Sequence, residues 1–316
     1  MKKNIIILLM LCTSLLWAQS DNMEFLNFSY NPRSASAGGL HPLFYSDAAQ
    51  LMQFPAAIYF SEKPAAGMNY TNHLLDIYGA SAFYVRPVQL KFMSNRGVAG
   101  IYILDMNYGE VKEIDDGAFY TGRTVSANDF ALGFSFSSLI EKNLVYGATI
   151  KIAHSTIAGY SSSALLVDFS LLYQLERFYK LHIYGTFRNI GLFLSSYTDA
   201  SQSLPFAYDI GFSKELKYLP LTFGFAVSNI LSQSNGYIES LDKWKIGGEL
   251  RLHPKLQVRA GYNRQINVSL KTENGDKFTG TSFGLGLNLR NMNFDFGWIF
   301  WGDAGTLNQF GFNYHF

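Results

Sequence analysis

The sequence has almost no cysteine. Cys12 is the single cysteine in 316 residues, and it lies in an apolar run at residues 5–17 that follows two lysines and precedes Ala18. These are the charged, apolar and small-residue parts of a secretory signal, so we predict a signal peptide at residues 1–18. A retained membrane helix is the alternative, but it needs about 20 apolar residues. The mature chain then has no thiol, disulfide or cysteine metal site.

Charged residues and long apolar runs are also scarce. Asp, Glu, Lys and Arg make up 16% of the chain and the formal net charge is +1, whereas soluble domains average about 25% charged residues. Nothing in this composition indicates a nucleic-acid partner. After the signal, the longest apolar run is residues 56–60, too short for a helical span. Since only helices and closed barrels satisfy their backbone hydrogen bonds in a bilayer, a membrane protein of this composition is a barrel.

Aromatic residues are abundant, with 27 Phe and 20 Tyr, and they recur with a period of two. The last ten residues carry Phe310, Phe312, Tyr314 and Phe316 at alternate positions, with small or polar residues between them. This is a strand with one aromatic face, and its open edge would invite aggregation unless the first strand covers it. A final strand ending in Phe resembles the assembly signal of bacterial outer-membrane barrels. We predict that role for these four residues, and an outer-membrane location.

The same alternation recurs along the chain and predicts an all-β fold: a transmembrane antiparallel β-barrel of about 14 strands. Apolar side chains alternate with small or polar ones in residues 163–175, 206–214, 283–290 and 292–301. A soluble β-sandwich is the alternative, but its outer face should be polar. The predicted strands are residues 66–73, 76–87, 96–110, 128–139, 143–155, 163–176, 180–191, 205–215, 219–230, 243–253, 255–268, 279–290, 292–302 and 308–316.

Two further features bear on how the barrel is organised. The predicted connections alternate between short turns and longer loops, as outer-membrane barrels require; the loops include residues 111–127, 156–162, 192–204, 231–242 and 269–278. Before the barrel, residues 19–65 lack the strand pattern and are rich in small residues, with one possible short helix. We interpret them as a periplasmic or lumen-lining leader, or hatch, ahead of a barrel domain at residues 66–316.

Nine charged residues fall on the face predicted to line the lumen. Both signs need partners between low-dielectric walls, so we expect a paired charge network. A crowded lumen of mixed sign favours a plugged scaffold, with a selective pore as the alternative. The nine are Asp168, Arg188, Asp209, Lys245, Glu249, Arg251, Arg259, Arg290 and Asp295.

Catalytic and metal-binding patterns are weak. His154 and Ser155 are adjacent, as in some outer-membrane hydrolases, but the surrounding motif is absent. Asp115 and Asp116 lie near Glu113 without the ligand spacing of a metal site, so a solvated acidic loop is the simpler interpretation. We predict no enzymatic activity and no cofactor, and a hydrolase is the least favoured alternative.

Several segments resemble the PorV/PorQ family, the FadL-like barrels of the type IX secretion system in Bacteroidetes, and the PorQ branch in particular. The leader is similar to the family's FL-x-x-P-x-S-A-R-A-A-x-G-G opening, with its Pro and Arg displaced, and Gln-Phe replaces Asn in the later N-P-A-x-L segment. The similar segments are EFLNFSYNPRSASAGG (24–39), QFPAA (53–57), HLLDIYGASAFY (73–84), FRNIG (187–191) and GGELRLHPKLQVRAGYN (247–263).

The resemblance implies a non-enzymatic outer-membrane component that docks partner proteins of the cell-surface attachment complex, such as a surface sortase-like protease or its companion. Membrane lipid, including lipopolysaccharide, is a further candidate ligand. The exposed loops that we expect to bind partners contain Glu113, Asp115, Asp116, Tyr197 and Tyr237. The alternative function is a FadL-like transporter of hydrophobic small molecules, with the leader as a gating hatch.

Overall fold

The computed structural model describes residues 22–44, 47–74, 76–89, 95–114, 120–175, 178, 180–197, 202–229, 242–272 and 275–316. Within them, fourteen strands form a closed antiparallel barrel in which each strand pairs with its sequence neighbours and β14 pairs with β1. The predicted fold class is therefore confirmed. The predicted signal peptide, residues 1–18, lies outside the described residues.

The strand bounds are β1 Ala65–Asn72, β2 Tyr78–Val88, β3 Gly97–Ile114, β4 Tyr120–Glu141, β5 Leu144–Ile157, β6 Tyr160–Leu175, β7 Leu181–Ser195, β8 Ala207–Glu215, β9 Leu221–Ser228, β10 Trp244–His253, β11 Leu256–Asn263, β12 Thr281–Leu289, β13 Met292–Phe300 and β14 Thr306–His315. The α-helices are α1 Pro32–Ala35 and α2 Arg264–Leu270. Short 3₁₀ segments occur at Glu24–Asn27, Pro42–Phe44, Ala48–Met52, Pro55–Phe60 and Gly302–Ala304. No helix among the described residues is long and apolar enough to cross a membrane.

The outer face of the barrel is apolar because strand side chains alternate between the two sides of the sheet. In β12, Phe283, Leu285 and Leu287 are exposed on the outside, whereas Gly284 and Gly286 between them are buried. Large exposed hydrophobic side chains of this kind occur on nearly every strand. Such a surface suits hydrocarbon and would be a liability in water.

The terminal strands close the sheet. β1 and β14 pair continuously from Ala65 opposite His315 to Asn72 opposite Asn308, which leaves no open edge there. On the outer side, the ring of Phe312 lies 5.2 Å from that of Phe294 and the ring of Phe310 lies 5.1 Å from that of Phe296. Tyr314 and Phe316 contact each other at 5.0 Å. The aromatic face of the last strand thus packs against β13, and its role in assembly stays a prediction.

The barrel is higher on one side than on the other. The tall side, β3 to β7, has strands of 14 to 22 residues, whereas the short side, β8 to β14, has strands of 8 to 10 residues. At about 3.3 Å per residue, the tall side continues well past the apolar band of the short side.

Two predicted loops on the tall side are largely strand, and a third begins as strand. Residues 111–114 and 120–127 belong to β3 and β4, residues 192–195 extend β7, and β5 joins β6 through the two-residue turn Ala158–Gly159, both with positive φ. On the short side, part of a predicted strand is helix. Residues 255–268 were predicted as one strand, but β11 ends at Asn263 and α2 follows it. Asn263 Oδ1 caps that helix by accepting a hydrogen bond from Ile266 N at 3.3 Å.

The described part of residues 22–62, which we call the hatch, lies inside the barrel. Its short helical turns are capped by side chains: Asn31 accepts from Arg33 N, and Asp47 accepts from Ala49 N. Asn31 Nδ2 also donates to Asp47 Oδ2 at 2.8 Å, which ties the two turns together. Most hatch side chains are buried, including Leu51. The N-terminal leader therefore fills the lumen.

Candidate functional site

Glycines in the wall let the hatch backbone touch the barrel. A Cβ atom on Gly147 of β5 would lie 2.1 Å from Ala56 N, and a Cβ atom on Gly261 of β11 would lie 2.1 Å from Gly38 N. These distances are far below van der Waals contact, so no larger residue fits while the hatch is in position. The tall side and the short side of the barrel thus each carry a glycine where the hatch backbone contacts the wall.

Hydrogen bonds secure the same contacts. Ala56 N donates to Ser170 Oγ at 2.8 Å, and Ser137 Oγ donates to the Ala56 carbonyl at 3.2 Å. On the other side, Gly38 N donates to Ser282 Oγ at 2.9 Å. Serines of the wall therefore satisfy hatch backbone groups that are removed from water.

A charged cluster joins α1 of the hatch to the short side. Arg33 donates through Nε and Nη2 to the two carboxylate oxygens of Glu249 at 3.1 and 3.0 Å. Arg259 contacts Glu249 at 2.8 Å and Asp295 at 2.7 Å. The Arg33 guanidinium also lies 4.7 Å from the centre of the Phe44 ring. Two arginines and two carboxylates balance each other here, as buried charges require.

A second charged cluster lies toward the long-loop end of the lumen. Asp209 accepts from Arg188 at 2.8 Å and from Lys245 at 3.3 Å. Nearby, Lys151 and Asp168 form a buried pair at 2.7 Å. This second cluster holds one more cation than carboxylate, and two of its cations, Arg188 and Lys245, border the cavity described below.

Seven of the nine predicted lumen charges take part in these clusters, and two do not. Arg251 pairs with Glu215 at 2.6 Å at the short-turn end, where its side chain is 44% exposed. Arg290 lies exposed in the turn after β12, with a positive φ of 54°. Both nevertheless border the cavity at the short-turn end that is described below, Arg251 from within β10 and Arg290 from the turn. Lys151 and Arg33 were missed; alternation within β5 could have found Lys151.

The hatch separates two cavities. The cavity on its long-loop side has a volume of about 690 Å³, and the one at the short-turn end about 600 Å³. The lining of the larger cavity is mixed: apolar side chains alternate with polar ones such as Ser282 and Gln309, and the cations are Arg188, Lys243 and Lys245. The apolar lining residues include Phe28, Ile266, Ile299, Trp301 and Leu307.

His41 of the hatch borders the larger cavity and is 3% exposed. Burial lowers the pKa of His41 to about 3, and the positive charge of Arg188 acts in the same direction. His41 is therefore neutral at physiological pH, so it does not add to the charge of the cations that line this cavity.

The residues expected to bind partners lie in different environments. Asp115, Asp116 and Tyr237 lie outside the described residues, and for Glu113 the structure describes the backbone alone, within β3. Tyr197 points inward, where its hydroxyl donates to Ser155 Oγ. It is therefore part of the lumen lining in this structure, and a loop assignment from sequence could not reveal that.

His154 and Ser155 do not form a catalytic pair. They are neighbours on β5 and point to opposite faces: His154 Nδ1 lies 2.9 Å from Ser163 Oγ on the outside, whereas Ser155 is buried and donates to Asp129. A nucleophile and its base must be within hydrogen-bonding distance. This arrangement removes the specific motif on which the hydrolase alternative rested.

The architecture defines a plugged membrane-type β-barrel, and solved structures share it. The toluene transporter TbuX of Ralstonia pickettii is 13% identical, with a TM-score of 0.58 over 91% of this chain and 98% of that one. The CymD monoaromatic hydrocarbon channel is 12% identical, with a TM-score of 0.61 over 94% of this chain and 99% of that one. A FadL homologue of Pseudomonas aeruginosa is 12% identical, with a TM-score of 0.57 over 92% and 99%.

The chain therefore has a FadL-like barrel fold. No protein-family model matches it, and no curated protein matches it. At such low identity the likeness concerns the fold alone, so function has to be argued from the lumen and the rim.

Proposed function

We propose that this chain is a non-enzymatic barrel of the Gram-negative outer membrane that takes a small, largely apolar molecule into its lumen. The observation that carries the proposal is the cavity of about 690 Å³ on the long-loop side of the hatch. Its volume is in the range of small-molecule sites, and the apolar groups of Phe28, Trp301 and Leu307 line it beside the polar ones. The transporters TbuX and CymD, which share the fold, support this class of function.

In this proposal the hatch is the gate. A molecule in the larger cavity reaches the smaller one only if the hatch shifts, because the hatch lies between the two. The contacts to be broken include the pair between Arg33 and Glu249. Passage is therefore slow and selective, unlike diffusion through an open porin.

A cross-link across that contact tests the proposal. In R33C/E249C, a short bismaleimide linker should hold the hatch in place and abolish uptake of a hydrophobic probe such as toluene into cells. The same double variant without linker is the matched control and should transport. Purified wild-type barrel should also carry an extractable apolar molecule. Equal uptake with and without the linker would reject the gating proposal.

A second candidate function, docking in the type IX secretion system, is favoured by the shape of the rim. Pairing of β2 with β3 stops at Asn107, and pairing of β4 with β5 starts at Ala127, yet β3 and β4 continue together to Ile114 and Tyr120. A two-stranded ribbon therefore rises above the barrel on the tall side. With the sequence resemblance to the PorV/PorQ family, this supports a docking surface for a surface protease or its companion.

Affinity purification of a tagged barrel from outer membranes distinguishes the two candidates. Docking predicts stoichiometric recovery of a large surface protein, and its loss when residues 111–125 are replaced by a short turn while the barrel stays heat-modifiable. Transport predicts a lone barrel carrying an apolar molecule. Recovery of the same protein with the shortened ribbon would contradict docking through this surface.

A further inference from the structure

The short-turn end of the barrel carries a regular set of cations. The five successive hairpins of this end from β4–β5 to β12–β13 each have at least one Lys or Arg at the turn. Four of these side chains belong to exposed residues, and the fifth, Lys180, is 41% exposed. The five are Lys142, Lys180, Lys217, Lys255 and Arg290.

An exposed hydrophobic side chain accompanies the cation of each turn. Tyr218 is the extreme case, at 88% exposure, and Lys217 Nζ lies 5.4 Å from the centre of its ring. The corresponding residues of the other four turns are Ile140, Phe178, Leu252 and Leu289. The same combination of a cation and an apolar or aromatic group is therefore repeated around this rim.

Acidic residues are fewer than cations in the described part of this end; one of them, Glu141, directly precedes Lys142. Glu215 lies between Lys180, at 2.7 Å, and Arg251, at 2.6 Å, so one carboxylate faces two cations. At the long-loop end the signs are mixed: Arg264 pairs with Asp242 at 2.9 Å, for example. The two ends of the described barrel thus differ in electrostatic character.

We propose that the short-turn end binds anionic phospholipid headgroups, such as those of phosphatidylglycerol, in the membrane leaflet on that side. The cations lie where the apolar band ends, which is the level of the lipid phosphates, while the adjacent hydrophobic groups remain in the acyl region. Each cation beside an anionic surface contributes a preference on the order of fivefold. The inference rests on the proposed membrane location and is independent of what the lumen carries.

Native mass spectrometry of the purified barrel tests the inference. The folded protein in mild detergent is mixed with equal amounts of phosphatidylglycerol and phosphatidylcholine, and the retained lipids are counted. Wild type should retain mainly phosphatidylglycerol. The variant K217Q/K255Q/R290Q should lose most of that preference while still showing the gel shift of a folded barrel on heating.

The variant R123Q/K271Q/K277Q is the matched control, because it removes three exposed cations from the opposite end. It should keep the wild-type lipid preference. Equal retention of both lipids by folded wild type, or an equal loss in the two triple variants, would overturn the inference. Uptake of the hydrophobic probe, measured on the same variants, reports on the transport proposal separately.

Discussion

The hatch packs against the tall side and the short side of the barrel in different ways. On the tall side it buries apolar groups, such as Leu51 and Ile58, in a cluster with Tyr102 and Leu104 of β3. On the short side it is held by Arg33, which pairs with a carboxylate of β10. Apolar burial is strong but non-directional, whereas an arginine bound through two hydrogen bonds fixes orientation. One side therefore holds the hatch in the lumen, and the other defines its position.

The largest expected effect comes from the short side. Glu249→Gln leaves Arg33 without its carboxylate in a low-dielectric lumen, and we expect the free energy of unfolding to fall by about 4 kcal/mol. Urea-induced unfolding in lipid vesicles measures it. Glu215→Gln is the control: its partners Lys180 and Arg251 are more than 40% exposed, so the loss should be at most about 1 kcal/mol. Equal losses would show that the hatch cluster is not energetically distinct.

A substitution on the tall side should destabilise the hatch through steric overlap with its backbone. Gly147→Val puts a Cβ atom 2.1 Å from Ala56 N, and relief of that clash should cost about 3 kcal/mol or displace the hatch. Limited proteolysis should then cut within residues 22–62. Gly185→Val is the matched control, since a Cβ atom there has no neighbour within 4 Å. Resistance of the Gly147→Val hatch to protease would contradict the close contact.

A smaller effect should appear as pH dependence near the cations of the larger cavity. Burial holds the pKa of His41 at about 3 in the folded protein, against about 6.5 when unfolded. The unfolded chain therefore binds a proton that the folded chain does not, and stability that is full above pH 6.5 is lost as the pH falls. At pH 5 the loss is about 2 kcal/mol.

His41→Gln should remove that part of the pH dependence, as measured by urea unfolding at pH 7.5 and pH 5. His253→Gln, at an exposed residue of the short-turn end, should leave the dependence as in wild type. If His41→Gln keeps the full wild-type pH dependence of the free energy of unfolding, the pKa of His41 is not lowered in the folded barrel.

Much of the wall was predictable because its pattern is local. Phe283, Leu285 and Leu287 alternate with glycine, and a period of two assigns each side chain to a face without any knowledge of the fold. The pattern fails where the strand leaves the apolar band. Residues 111–114 of β3 lie in such a region, beyond the last pair with β2. Their alternation no longer separates lipid from lumen, and they were interpreted as a loop.

The charged residues divide in the same way. Asp209 and Lys245 could be assigned to the lumen from their strand positions, but their pairing at 3.3 Å could not. Arg290 lies in a tight turn with positive φ just beyond β12, where it borders the smaller cavity and is also exposed. Alternation therefore assigns a face within a strand, whereas a turn residue is placed only by the structure.

The sequence by itself determined the central part of each strand, the strand number, the apolar exterior and the aromatic last strand, because each of these depends on neighbours one or two residues apart. Only the tertiary structure decided the course of the hatch. Arg33 meets Glu249, 216 residues away, and Ala56 touches a wall glycine with no side chain to mark the contact. Such contacts join residues that are far apart in the sequence and form only when the barrel closes. A pattern of neighbouring residues therefore does not predict them.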